Sequence, residues 1–71
     1  MPSAKVILLD EFDAPVGELT VQADEPYQVN DHFRSPEGGL YLVCTVREGD
    51  PPADQEVTAV WIDGPHPRAL G

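Results

Sequence analysis

The sequence predicts an all-β fold: a small five-stranded antiparallel meander, arranged as a bent sheet or a small closed barrel. Three observations predict it. No long window carries apolar residues at helical spacing without an intervening proline or glycine. Eight prolines and six glycines divide 71 residues into short pieces. Those pieces are rich in β-branched and aromatic residues, and several alternate apolar with polar.

The first strand is expected over Ala4–Phe12, with a continuous apolar run from Val6 to Leu9, the pattern of a strand covered on both faces. Asp13-Ala14-Pro15-Val16 reads as a turn, with Gly17 easing its exit. Glu18–Ala23 alternates, placing Leu19, Val21 and Ala23 on one face and Glu18, Thr20 and Gln22 on the other. After Asp24-Glu25-Pro26, a third strand is expected from Tyr27 or Val29 to Arg34, with Tyr27, Val29 and Phe33 on one face. Ser35–Gly39 is a hairpin loop in which Pro36 pre-sets φ and the glycines accept positive φ. The fourth strand is Leu40–Arg47, with Leu40, Leu42, Cys44 and Val46 expected inside. Asp50-Pro51-Pro52 interrupts pairing, because proline has no N–H to donate. The fifth strand is Glu56–Ile62. Residues 1–62 therefore form one small β domain, and residues 63–71 a flexible C-terminal tail.

The stretch Val29-Asn30-Asp31-His32-Phe33-Arg34, a glycine-containing turn, and Leu40-Tyr41-Leu42-Val43-Cys44-Thr45-Val46 together resemble the central hairpin of SH3-like barrels. Asn30 occupies the position where those barrels most often carry glycine. The resemblance implies a small barrel and no particular function, since such barrels host many roles.

Size and charge limit the functional classes. A domain this small buries only about 60% of its unfolded surface. With Cys44 as its sole cysteine, the chain has no internal disulfide to add stability. The apolar runs are far shorter than the ~20 residues a membrane-spanning helix needs. Thirteen Asp and Glu against four Lys and Arg give a net charge of −9. That balance disfavours phosphate backbones and anionic membrane surfaces alike. Acidity then serves either solubility or a match to a basic partner. A cytoplasmic setting follows from the lone Cys44 and the absence of any leader-like stretch.

The residues that could carry chemistry are scattered. Cys44 lies among apolar neighbours and reads as a small buried hydrophobe. Ser3 and Ser35 lack a nucleophile-elbow context. His32 is predicted to be exposed on its strand, and adjacent Asp31 should point to the opposite face. Asp10, Glu11 and Asp13 have the chance to gather near Asp63 or His66 at one turn. Gly38-Gly39 has no following helix or lysine, so it is a turn rather than a phosphate loop. No motif calls for a metal or a cofactor.

Tyr27, Phe33, Tyr41 and Trp61 are enough for an aromatic core, with Tyr41 and Trp61 alternatively free to read a peptide. The first and fifth strands are apolar on both faces, more than one small core can bury. The candidate interface residues are Val6, Leu8, Tyr41, Val60 and Trp61. The leading expectation is a non-catalytic protein-interaction module that self-associates or joins a larger assembly. An acidic inhibitor or nucleic-acid mimic in a basic groove is the alternative. A small enzyme or metal protein using His32, His66 and nearby carboxylates is a third.

Overall fold

Five strands make up the fold in the computed structural model, which describes residues 3–67. They are β1 (Ser3–Leu9), β2 (Pro15–Gln22), β3 (His32–Arg34), β4 (Leu40–Glu48) and β5 (Gln55–Asp63). The all-β class expected from the sequence holds: one sheet curls into a half-barrel.

Its strand order is β2-β1-β5-β4-β3, so the sheet is not a simple meander. β1 and β5 pair in parallel, from Ala4 opposite Gln55 to Leu9 opposite Val60. The other neighbours, β1–β2, β4–β5 and β3–β4, are antiparallel. A purely antiparallel arrangement is thereby corrected, and the reason lies in the strand patterns. β1 and β5 are the strands apolar on both faces, and such strands suit interior positions. β2 exposes Glu18, Thr20 and Gln22 and begins at Pro15, as an edge strand does.

One face of the sheet carries the core: Ala4, Val6, Leu8, Tyr41, Val43, Val57 and Ala59 are all buried. Val16, Leu19, Val21, Tyr27, Phe33, Val46 and Trp61 pack around them. Phe33 stacks on Tyr41 at 5.6 Å between ring centres, and Tyr27 tilts against Phe33 at 5.9 Å.

The inner face of β4 differs from the expected one. A bulge interrupts the register between Val43 and Thr45, with Val43 opposite Ala59 and Thr45 opposite Thr58. The extra residue shifts the alternation by one, so Tyr41, Val43 and then Val46 point inward. Leu40 and Leu42 turn to the outer face, and Cys44, at the bulge, is exposed rather than buried.

The third strand is also shorter than expected. Val29 and Asn30 form a turn, with Asn30 at φ 76°. Asparagine tolerates that left-handed conformation as glycine does. Val29 is consequently exposed, while Tyr27 still reaches the core. The backbone between β2 and β3 is fastened from below. Tyr27 N–H donates to Gln55 Oε1 at 2.8 Å, and Gln55 Nε2 donates to the Tyr27 carbonyl at 3.0 Å.

The first turn lies at residues 10–14, earlier than expected. Asp10, only 1% exposed, organises it. Its Oδ1 accepts N–H bonds from Phe12 at 2.8 Å and Ala14 at 3.0 Å. The positive φ this turn needs falls on Asp13, at 64°, and not on Gly17.

Candidate functional site

Side chains alternate across a strand, so the register fixes what the outer face presents. On one line across the sheet, Leu9 is opposite Val60, Val60 opposite Leu42, and Leu42 opposite His32. Ile7, Leu40 and Ile62 flank that line, which makes the half of the outer face toward the 10–14 turn largely apolar. These side chains are half-buried by their neighbours within the sheet, except His32, which is exposed, and Ile62, which is 42% exposed. Among the described residues, strand contacts of any extent run between sheet neighbours, so no second layer of strands stacks on this face.

The other half of the same face is charged. Lys5 lies opposite Glu56, and Glu56 opposite Arg47. Arg47 Nη2 donates to Glu56 Oε1 at 2.8 Å, and Lys5 Nζ stands 3.8 Å from Glu18 Oε1. Thr20, Lys5, Glu56 and Arg47 thus share one row across β2, β1, β5 and β4, and Glu18 sits one step along β2, opposite Ile7, so that two bases balance two acids. Exposed pairs of this kind contribute only about 0–1 kcal/mol each to folding. Beside them, the 49–54 loop and the outer sides of Ser3, Lys5, Thr20 and Gln22 enclose an open groove of about 460 Å³. The loop is fastened there by Ser3 N–H donating to Asp54 Oδ2 at 2.8 Å and by Asp54 N–H donating to the Ser3 carbonyl at 2.9 Å.

Ten of the remaining eleven acids sit at the two ends of the strands, and Asp31 lies beside β4, its carbonyl accepting the Val43 N–H at 2.8 Å. Asp10, Glu11, Asp13, Glu37 and Asp63 occupy the end where β1 and β5 finish. Asp24, Glu25, Glu48, Asp50 and Asp54 occupy the end where they begin.

The sequence-predicted interface residues divide. Val6 (0% exposed), Leu8 (6%) and Tyr41 (2%) belong to the core, which removes them from any outer surface of this chain. They alternate onto the inner face, where the curl of the sheet closes over them. Val60 lies on the outer face, as one of the apolar line. Trp61 lies on the inner side, its ring tilted against the His66 imidazole at 4.8 Å between centres. The Trp61 indole N–H is buried and meets no acceptor among the described residues.

The sequence reading missed Ile7, Leu9, Leu42 and the alternating charges. Doubly apolar β1 was the available signal for Ile7 and Leu9. Nothing announced Leu42, because both faces of β4 read as apolar and the bulge decides between them.

The remaining candidates are placed as follows. His32 is exposed, and Asp31 turns away from it, with Oδ2 accepting the Gln28 N–H at 2.8 Å. Cys44 Sγ has only a weak 3.6 Å contact to the Leu42 carbonyl. Ser35 is buried, and its Oγ accepts the Gly39 N–H at 3.2 Å. Glu11 Oε2 meets His66 Nε2 at 2.7 Å, tying the segment after β5 to the first turn. The rest of the expected tail, residues 68–71, lies outside the described residues. Among the described residues no three His, Cys, Asp or Glu side chains gather into a metal site.

Two phenols are shifted. Burial first, and the Glu37 carboxylate second, push the Tyr41 phenol above its ordinary 10.0. Burial and Asp31 do the same for Tyr27.

Comparison of the chain with family models, curated proteins and solved structures finds no match.

Proposed function

We propose that this chain is a non-catalytic protein-interaction module that binds through the outer face of its sheet. The observation that carries this reading is the line Leu9–Val60–Leu42, flanked by Ile7, Leu40 and Ile62, which no second layer of strands covers among the described residues. Apolar residues grouped on one face and bordered by charge are the usual make-up of a protein contact surface. The resemblance of residues 29–46 to the central hairpin of SH3-like barrels suits such a module, and a cytoplasmic setting belongs to the same proposal.

The acidic-mimic reading finds less support. A mimic of a phosphate chain needs acids along one face, whereas ten of these sit at two opposite strand ends. The middle of the outer face is balanced in sign.

Affinity capture from an extract of the producing cells tests the proposal, with tagged wild type compared against Leu42→Lys/Val60→Lys. Wild type is expected to retain a partner, an untagged copy of the chain included, and the double variant to lose it. Circular dichroism confirms that the variant folds. Equal retention by both, or none by wild type, contradicts the reading.

A further inference from the structure

We infer that the partner seated on this outer face is a second copy of the chain, docked face to face about a two-fold axis parallel to the strands. The inference rests on the reading of the outer face as a contact surface and names its occupant.

It follows from the pattern of charge. A two-fold axis between β1 and β5 exchanges the left and right sides of the sheet and keeps each residue at its height along the strands. Across one row of the face the register sets Thr20, Lys5, Glu56 and Arg47 side by side on β2, β1, β5 and β4. Reversed by the axis, each of the two central charges meets its opposite. Lys5 faces the partner's Glu56, Glu56 faces the partner's Lys5, and Arg47 lies across from the partner's neutral Thr20. The apolar half meets the apolar half, because height is preserved.

Shape agrees with this assignment. The face is the outside of a curled sheet, so two copies approach most closely along their central strands. At the level of Lys5 and Glu56 the sheet is four strands wide, because β3 pairs only with Leu40, Tyr41 and Leu42. β1 and β5 are its middle pair there, and both continue into the apolar half with Ile7, Leu9 and Val60. Away from that pair the surfaces diverge, and there the side chains are long. Arg47 is 72% and Glu18 57% exposed, at the two borders of the contact.

The chain's overall charge of −9 disfavours self-association in general. On this face the objection fails, since the four charges of β2, β1, β5 and β4 cancel and ten of the thirteen acids are held at the strand ends. A basic partner, by contrast, would be drawn to those ends. The charges set register and exclude misalignment, and apolar burial supplies the affinity.

Sedimentation of purified full-length chain, with charge-exchanged variants, tests the inference. Wild type is expected to dimerise. Lys5→Glu alone places acid against acid at two symmetric contacts, and Glu56→Lys alone places base against base. Each is expected to weaken dimerisation by about tenfold or more. Mixed in equal amounts, the two variants restore every opposite-sign contact, and the heterodimer returns to about wild-type affinity. A dimer indifferent to both variants, or a mixture that fails to recover, overturns the inference. So does a wild-type monomer at every concentration. In that case, partner capture that depends on Leu42 and Val60 preserves the contact-surface reading with another occupant. Absence of such capture removes both. Each variant's thermal unfolding shows whether it folds, and Gln28→Glu, exposed between β2 and β3, controls for added charge.

Discussion

The two faces of this sheet are built from the same strands, yet only one is closed over by the described residues. On the inner face, Val6, Val43, Val57 and Ala59 are completely closed off from solvent. One residue further along the same strands, Ile7, Leu42, Thr58 and Val60 are covered only by their neighbours in the plane. A single curled sheet wraps one apolar face and leaves the other outward. The difference teaches that doubly apolar strands carry two messages at once. One is a central position in the sheet, and the other is a surface that remains available for contact.

Substitutions on either side of the sheet break this comparison if it is wrong. The largest effect is expected on the inner face, where Tyr41→Ala removes a buried ring stacked on Phe33. Loss of a ring of that size costs about 3–5 kcal/mol by chemical denaturation. Asp10→Ala is next. It removes the carboxylate that accepts two backbone N–H bonds at a buried turn, at a cost of about 1–3 kcal/mol. Asp10→Asn, which keeps one acceptor oxygen, is expected to recover part of the loss.

Alkaline pH gives a third check on the inner face. Both shifted phenols have folded-state values above the ordinary 10.0, so the fold favours their neutral forms. Their contribution is intact below pH 10 and is lost as pH rises through the raised values. The melting temperature should therefore fall above pH 10. Tyr41→Phe should flatten that fall, and an unchanged profile would contradict the assignment.

The smallest effect belongs to the outer face. Leu42→Thr should change the stability of dilute protein by no more than about 1 kcal/mol. The same substitution should weaken self-association measured at high concentration. A cost matching that of the core residue would show that the outer face is structural instead.

Much of this fold was legible from the sequence, for physical reasons that differ by element. Prolines and glycines marked the loops, and the Ser35–Gly39 hairpin appears where expected, with Gly38 at φ 95°. The clean alternation of β2 gave the faces of its central residues correctly. Strand order was not legible, because pairing of β1 with β5 is a contact between the two ends of the domain and leaves no local mark. The faces of β4 were hidden for a different reason. With apolar residues at both parities from Leu40 to Val46, only the bulge at Cys44 decides which ones turn inward.

The candidate surface was half legible. Val60 was found through the doubly apolar β5, and the same logic misassigned Val6, Leu8 and Tyr41, which the curl buries. The alternating charges are far apart in sequence and become a pattern only once the register sets Lys5 beside Glu56 and Glu56 beside Arg47.

Isotope-filtered NMR on a mixture of labelled and unlabelled chain tests the central claim most directly. Cross-chain contacts to the methyl groups of Ile7, Leu9, Leu42 and Val60 are expected. Contacts confined to the β2 or β3 edge, or none at concentrations near a millimolar, would contradict the account.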